Sequence, residues 1–289
     1  MASKSLVVIV GPTASGKTSL SIEVAKRFKG EIICADSRSI YSGMDIGTAK
    51  PTKKEQSGVP HWGLDLVEPG QYFSVADFKE YTDLKIAEIQ SRNRLPILVG
   101  GTGLYVDSVL FNYQFGAPAN AALRSKLQRM ELHELHEYCA KNNITLPENS
   151  NNKRYVIRAI ENSDEDVNKS TKPAYDAIVV GIATEKDQLM SRISMRCEQL
   201  FDDGVVEEAK KLCDVYGWDN EAMKSNIYPL IHRYLLGDMT LNEVKEKFIT
   251  LDWKLAKRQM TWMRRNKYIK WLPLSDAVNY IVEQLAIRS

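Results

Sequence analysis

Residues 6–18 read LVVIVGPTASGKT and join an apolar run, Leu6–Val10, to a loop that contains two glycines. The loop matches the pattern G-x-x-x-x-G-K-[ST], in which a buried strand runs through a tight turn into a helix. Its backbone N–H groups, the ammonium of Lys17 and the positive end of the helix favour an anion, and the Thr18 hydroxyl is placed for Mg²⁺. The stretch therefore predicts an α/β fold with a phosphate group at this P-loop. A glycine-rich turn without a ligand is the alternative.

The composition is ordinary for a globular protein with a large core. The chain has 289 residues, of which 44% are hydrophobic and 26% charged, and a formal net charge of +2. No apolar run approaches the roughly 20 residues of a membrane span, and the N-terminus leads straight into the first predicted strand. The four cysteines form no C-x-x-C pair, which argues against structural zinc. We therefore expect a cytoplasmic monomer without a signal peptide, a transit peptide or membrane contact.

Strands and helices alternate along much of the chain. Apolar, β-branched runs predict strands at Leu6–Val10, Glu31–Cys34, Gly63–Val67, Pro96–Val99 and Ala177–Ile182. Apolar residues at helical spacing predict a helix over Lys17–Phe28, and Ser74 with Asp77 predicts the cap of another. This alternation indicates a parallel sheet with right-handed crossovers, flanked by helices.

The character of the sequence changes after Phe115. Residues 117–143 and Lys153–Glu161 have helical patterns, and a polar loop follows. We predict a mainly helical insertion over about residues 116–176, between two parts of the core, 1–115 and 177–289. From Gln188 onward the chain is predicted to be largely helical, with a capping box at Thr240 and Glu243.

Two polar segments follow predicted strands. Asp36 comes directly after the second strand and opens a hydroxyl-rich loop, and Thr102 follows the strand Pro96–Val99. Because ligands of parallel sheets collect at the carboxyl ends of strands, Asp36 and Thr102 are expected at the same sheet edge as the P-loop. A strand-end aspartate also commonly caps a loop, and position alone supports both roles of Asp36 equally.

Three motifs in a fixed order connect the chain with a known family. They are Gly11–Thr18, the pattern D-S-x-x-[IV]-Y-x-x-[ML]-D-I-G-T-A-K-P at Asp36–Pro51, and G-G-T-x-L-Y at Gly100–Tyr105. Their order and spacing resemble the tRNA dimethylallyltransferases, which modify the adenosine next to the anticodon. The resemblance continues through Arg158–Glu161, Arg192–Leu212, Ala256–Arg265 and Trp271–Leu272. It implies a P-loop NTPase-like core with a parallel sheet.

The resemblance also implies an activity. The family transfers a dimethylallyl group from dimethylallyl diphosphate to N6 of an adenosine in the anticodon stem-loop of tRNA, and releases diphosphate with the help of Mg²⁺. Asp36 matches the general base, and Thr102 matches the hydroxyl that orients the amine. Thr18 would hold Mg²⁺ through its hydroxyl, so Mg²⁺ is the expected cofactor. The residues expected to bind the diphosphate are Thr13, Ala14, Ser15, Gly16, Lys17, Thr18, Arg192 and Arg196.

Basic and aromatic residues predict contacts with RNA. The stretch from Trp253 to Trp271 has seven Lys and Arg residues and no acidic residue, with tryptophans and a tyrosine between them. This combination suits phosphates and unstacked bases, although the tryptophans could also simply pack in the core. The residues expected to bind tRNA are Ser37, Arg38, Ser39, Arg154, Arg158, Lys257 and Arg258. His61 matches a family histidine near the substrate.

The chain departs from the family at two places that bear on RNA contacts. Ser225–Pro229 lacks the glycine of the usual Ala-Ile-Gly-Tyr-type stretch, and Tyr155 stands where arginine is common. Three alternatives remain: an adenylate isopentenyltransferase, a P-loop small-molecule kinase and a non-catalytic RNA-binding module. The basic C-terminal stretch favours RNA over a free nucleotide, and a kinase gives no reason for the segment Asp36–Pro51. Intact Lys17 and Asp36 argue against a non-catalytic module.

Overall fold

The computed structural model describes residues 5–115, 121–163 and 170–288. The chain divides into two compact units, of which the first is Met1–Leu110 with Pro173–Ser289 and the second is Phe111–Lys172. The sequence predicts an insertion over residues 116–176, so both boundaries lie a few residues earlier in the structure. Residues 116–120 and 164–169, which fall within the predicted insertion, are outside the described residues.

The elements are numbered along the chain. The strands are β1 (Ser5–Val10), β2 (Glu31–Ala35), β3 (His61–Trp62), β4 (Pro96–Gly100), β5 (Asp176–Ala183) and β6 (Lys270–Pro273). The helices are α1 (Lys17–Phe28), α2 (Lys53–Gln56), α3 (Val75–Ser91), α4 (Gly103–Leu110), α5 (Ala121–Arg129), α6 (Leu132–Lys141), α7 (Lys153–Glu161), α8 (Lys186–Asp202), α9 (Val205–Tyr216), α10 (Tyr228–Leu235), α11 (Leu241–Met263) and α12 (Leu274–Arg288). A short 3₁₀ helix spans Glu221–Lys224. Helices α5, α6 and α7 belong to the second unit.

The sheet of the first unit has the order β3-β2-β4-β1-β5-β6, and each neighbouring pair is parallel. Strands β1 and β4 are buried along their whole length. Complete burial is typical of parallel strands that are covered by helices on both faces. The prediction of a parallel sheet flanked by helices is therefore confirmed.

Two clusters of buried side chains fix the elements around the site. In the first, Leu20 and Val24 of α1 and Ile281 of α12 pack on the sheet. In the second, α9, α10 and α11 pack around Ile40 and Met44, which lie in the loop after β2. The loop that follows Asp36 is thus anchored in a hydrophobic core of its own, although the segment is polar overall.

The predicted strand Gly63–Val67 is wrong. The strand lies just before it, at His61–Trp62, where it pairs with β2. Gly63 at φ +80° and Asp65 at φ +52° turn the chain out of the extended conformation, and φ values of this sign do not occur in a strand. Val67 makes only an isolated bridge to Tyr41. The apolar residues of this segment therefore pack as a loop.

The region 117–143, which is predicted to be helical, forms two helices, α5 and α6, in its described part. The interruption falls at Met130 and Glu131, where the Glu134 carboxylate accepts the backbone N–H of Glu131 at 2.5 Å. A side chain that satisfies the free N–H groups in this way starts a new helix. Residues 117–120 of the prediction lie outside the described residues.

Several local predictions are confirmed. Helix α1 begins at Lys17 and ends at Phe28, and the Lys153–Glu161 helix has the predicted bounds. Both capping boxes are present, with Ser74 N–H donating to Asp77 and Thr240 N–H donating to Glu243, each at 2.7 Å. Among the described residues, no helix has the length and apolar character that crossing a membrane requires.

Candidate active site

Three neighbouring strands end at one cavity of about 940 Å³. The P-loop follows β1, Asp36 follows β2 and Thr102 follows β4, and all three line this cavity. Since β4 lies between β2 and β1, residues far apart in sequence come together through the strand order alone. The cavity therefore lies at the carboxyl edge of the sheet, where parallel sheets hold their ligands.

The P-loop presents unsatisfied N–H donors to the cavity. Gly16 at φ +95° and Ala14 at φ +60° turn the chain so that α1 begins directly at Lys17. Within the described residues, the backbone N–H groups of Gly16, Lys17 and Thr18 have no acceptor, and the Ser15 hydroxyl is buried without a partner. Free donors at a helix N-terminus form an anion site, which is what the sequence predicts for this loop.

Positive side chains surround the same loop. The Lys17 ammonium donates to the Pro12 carbonyl at 2.6 Å. From α8, Arg192 donates to the Ser15 carbonyl at 3.1 Å, and Arg196 donates to the Thr13 hydroxyl. Burial lowers the pKa of Lys17 to about 8, partly offset by the Asp36 carboxylate, and the charge of Arg196 lowers it further. A bound anion would relieve this crowding of positive charge.

Asp36 uses its two carboxylate oxygens differently. Oδ1 accepts the backbone N–H groups of Arg38 at 2.8 Å and Ser39 at 3.2 Å, whereas Oδ2 accepts no hydrogen bond from the described residues. The Thr102 hydroxyl accepts the Ser37 N–H at 3.2 Å, so its own hydrogen is left to donate elsewhere. Asp36 thus caps its loop with one oxygen and keeps the other for a ligand. The capping role that the sequence left open is therefore present, and the catalytic role of Asp36 stays a prediction.

Helix α11 joins the P-loop to the loop after β4. The side-chain oxygen of Gln259 accepts the Thr13 N–H at 2.8 Å, and its amide packs on Gly101, where a Cβ would lie 3.1 Å from the Gln259 Cδ. One turn on, the Trp262 indole packs against Gly103 and donates to Asp107 at 2.6 Å. Gln259 and Trp262 therefore set the position of Thr102 relative to the P-loop.

The sequence profile of the IPP transferase family matches residues 39–266. The chain belongs to the IPP transferase family. A tRNA dimethylallyltransferase of Anoxybacillus flavithermus is 39% identical to this member of the family over 282 residues, which cover 94% of this chain and 91% of that protein. The predicted membership of the tRNA dimethylallyltransferases is thereby confirmed.

Solved structures of IPP transferases share the fold. The full-length tRNA isopentenylpyrophosphate transferase of Bacillus halodurans aligns with a TM-score of 0.76 and 37% identity, covering 99% of this chain and 98% of that one. A eukaryotic dimethylallyltransferase acting on tRNA aligns with a TM-score of 0.79 and 23% identity, covering 99% of this chain and 78% of that one. The likeness confirms the predicted P-loop NTPase-like fold.

Sequence reasoning missed the residues that hold the cavity wall formed by Gly47–Pro51. The Glu208 carboxylate of α9 accepts three successive backbone N–H groups, of Asp45, Ile46 and Gly47, at 2.7–2.9 Å. It also accepts the hydroxyl of buried Tyr228 at 2.7 Å. A glutamate on an amphipathic helix carries no sequence signal for this role.

A buried cation holds the same segment from within. The Lys50 ammonium donates to Asp45 at 2.6 Å, to Asp65 at 2.5 Å and to the Tyr41 carbonyl at 2.9 Å. Only 8% of Lys50 is exposed, so its charge is available to these partners and not to a ligand. The signature lysine of the D-I-G-T-A-K-P pattern is therefore a structural residue here.

The residues predicted to bind tRNA are divided among three places. Ser37, Arg38, Ser39 and Arg258 line the main cavity. Lys257 lies on α11 in a second cavity of about 400 Å³, whose other lining residues are Lys254, Arg258, Thr261, Trp262 and Arg265. Arg154 and Arg158 belong to the second unit, where Arg158 forms an ion pair with Glu161 at 3.2 Å. Contact of these residues with tRNA stays a prediction.

The site fits a magnesium ion that is bound mainly through a substrate. The Thr18 side chain is exposed and lines the cavity beside the free N–H groups of α1. No three His, Cys, Asp or Glu side chains of the described residues form a metal-holding group. Mg²⁺ commonly takes one or two protein ligands together with substrate phosphates and waters, so the donors present suffice.

Proposed function

We propose that this protein transfers the dimethylallyl group of dimethylallyl diphosphate to N6 of the adenosine next to the anticodon in tRNA. The observation that carries the proposal is the shared cavity, in which an anion-binding P-loop faces a carboxylate with one open oxygen. A diphosphate leaving group and a proton-bearing nucleophile need these two features together. The names of the similar proteins support the same reaction.

The nucleophile is activated by Asp36. The lone pair of an aromatic amine is delocalised into the ring, so N6 attacks well only when its proton is removed as the C–N bond forms. Oδ2 of Asp36 accepts that proton, while the two N–H groups on Oδ1 hold the carboxylate in place. The Thr102 hydroxyl, fixed by the Ser37 N–H, orients the amine.

The leaving group is held by the P-loop. The C–O bond between the allylic carbon and the diphosphate breaks, and both electrons stay on the diphosphate oxygen. The N–H groups of Gly16, Lys17 and Thr18, with the Lys17 ammonium, surround the charge that develops there. Arg192 and Arg196 add two guanidinium groups from α8. When bound, Mg²⁺ neutralises part of the diphosphate charge, and the Thr18 hydroxyl would hold it.

The test is a reaction with defined components. The protein is incubated with unmodified tRNA, dimethylallyl diphosphate and Mg²⁺, and the digested tRNA is examined by mass spectrometry for prenylated adenosine next to the anticodon. Parallel reactions contain AMP in place of tRNA, or ATP in place of dimethylallyl diphosphate. Product with AMP but not with tRNA would favour an adenylate isopentenyltransferase, and a phosphorylated acceptor would favour a kinase.

We expect diphosphate binding to weaken as the pH rises above about 8. The lowered pKa of Lys17, about 8, means that the free protein loses this charge above that pH. Binding of an anion favours the protonated lysine, so this side chain takes up a proton when diphosphate binds at about pH 9. Calorimetric titration of inorganic diphosphate in buffers of different ionisation heats measures that uptake. A Lys17→Arg variant, whose guanidinium stays protonated, should take up fewer protons when it binds diphosphate. Equal uptake by both proteins would place the titrating group elsewhere.

A further inference from the structure

A small polar cluster lies in the wall of the main cavity. Asp252 projects from α11 and is only 3% exposed, yet it lines the cavity together with Ser225 and Asn226. Asn226 donates its side-chain amide to Oδ1 of Asp252 at 2.9 Å. The cluster thus joins α11, which contacts the P-loop, to the segment that precedes α10.

Two atoms of this cluster lack partners. Oδ2 of Asp252 and the hydroxyl oxygen of Ser225 are buried and make no hydrogen bond within the described residues. A buried carboxylate oxygen without a donor is costly, and most buried polar atoms in native proteins are satisfied. Because Asp252 lines the cavity, a ligand that carries a donor can supply the missing partner.

The chemistry of the acceptor excludes one of the two substrates. Dimethylallyl diphosphate carries negative charge and an apolar chain. A carboxylate repels the negative charge, and the apolar chain has no donor to offer the carboxylate. An RNA nucleotide carries N–H donors on its base and a hydroxyl donor on its ribose.

The surroundings of the cluster also favour RNA. The Arg38 guanidinium donates to the Glu221 carbonyl at 3.3 Å, which ties the predicted RNA-binding loop to the 3₁₀ helix that leads into Ser225. The cluster includes the first residues of Ser225–Pro229, one of the two places where the chain departs from the pattern of the family.

We propose that Asp252, supported by Asn226 and Ser225, forms an RNA subsite that accepts a hydrogen bond from a base amine or a ribose hydroxyl of a nucleotide in the cavity. The inference rests on the proposed function, because it takes RNA as the ligand. It adds a residue that contributes to RNA binding and takes no part in the bond changes.

The test uses Asp252→Asn. This variant keeps an oxygen for the Asn226 amide and turns the orphaned acceptor into a donor. Binding of a fluorescently labelled anticodon stem-loop is measured by anisotropy, and dimethylallyl transfer to the same RNA is measured separately. We expect RNA binding to weaken about 10- to 100-fold, as for a lost hydrogen bond to a charged group. Inorganic diphosphate binding and the thermal unfolding temperature should stay unchanged.

Glu246→Gln is the matched control. Glu246 is exposed on the same helix and does not line the cavity. This variant therefore also removes one negative charge but leaves the subsite unchanged. Loss of a negative charge should by itself leave RNA binding the same or slightly tighter. Ser225→Ala removes the other orphaned atom and should weaken RNA binding by a smaller factor, which keeps the proposal testable if Asp252→Asn does not fold.

RNA analogues identify the donor. Stem-loops with 2′-deoxy sugars, or with bases that lack the exocyclic amine, are substituted one nucleotide at a time around the target adenosine. One of them should bind wild type weakly and show no further loss with Asp252→Asn, because both changes remove one hydrogen bond. Wild-type-like RNA binding by both Asp252→Asn and Ser225→Ala would overturn the subsite. It would also be overturned if the loss of RNA affinity depended on the Mg²⁺ concentration and was the same for every RNA analogue. RNA binding without transfer by the wild type would overturn the proposed function and leave the subsite standing.

Discussion

Replacing Asp36 with Asn should lower the rate of dimethylallyl transfer by about 10²- to 10⁴-fold, the usual contribution of a positioned general base. The reason is that the two oxygens of the side chain have different roles. An asparagine oxygen can still accept the N–H groups of Arg38 and Ser39 that Oδ1 accepts now. Its amide, in the place of Oδ2, cannot take a proton from N6. The loop therefore keeps its shape while the reaction loses its base. Single-turnover transfer to unmodified tRNA measures the effect.

Two controls separate this result from a structural defect. Diphosphate binding, measured calorimetrically, should be retained, because Asp36 makes no hydrogen bond to the P-loop and its carboxylate, which raises the pKa of Lys17, has the same sign of charge as the ligand. Asp36→Ala should transfer equally slowly but unfold at a lower temperature, since the two loop N–H groups then lose their acceptor. If Asp36→Asn transferred at the wild-type rate, the carboxylate would be only a loop cap.

The largest effect on stability is expected from Gly100→Ala. Gly100 ends β4 in register with Ala35 of β2, and a Cβ there would overlap the Ala35 carbonyl and lie 2.6 Å from its carbon. The obstacle is backbone inside a sheet, which cannot rotate away as a side chain can. We expect a loss of about 3–5 kcal/mol in the free energy of unfolding, and a thermal unfolding temperature lower by about 10 °C.

Gly237→Ala is the comparison for this variant. Gly237 has φ +81° and nothing within 4 Å of a Cβ, so alanine there costs only about 1 kcal/mol for the left-handed backbone. Thermal and urea unfolding of both variants distinguish the two costs. Equal losses would show that β2 and β4 can separate without penalty.

The parts of the structure that the sequence predicts well are local. An apolar run followed by Gly11–Thr18 specifies strand, loop and helix within one stretch of chain, and Ser74 and Thr240 start helices through acidic side chains three residues on. The strand predicted at Gly63–Val67 is wrong for a local reason too. Positive φ at Gly63 and Asp65 decides its shape, and hydrophobicity does not report that.

The remaining site residues depend on contacts between distant parts of the chain. Glu208 meets the N–H groups of residues more than 160 positions earlier, and Gln259 meets Thr13 across 246 positions. Each is a polar residue on an amphipathic helix, the commonest kind of surface position. Asp252 has the same sequence signature, but it is buried. Only the packing of α9 and α11 separates these three from solvent-exposed polar residues.

The strand order also sets a distance across the site. The strands that lead to Asp36, Thr102 and the P-loop are the consecutive neighbours β2, β4 and β1, and parallel strands lie about 4.8 Å apart because of their backbone hydrogen bonds. The sheet therefore sets a distance of about two strand spacings, roughly 10 Å, between the end of β2, which Asp36 follows, and the end of β1, which the P-loop follows. Side-chain substitutions that do not force these strands apart leave that distance unchanged. The reacting carbon is bonded directly to the diphosphate whatever the length of its alkyl tail, so selection among longer and shorter prenyl donors has to come from the side walls of the cavity.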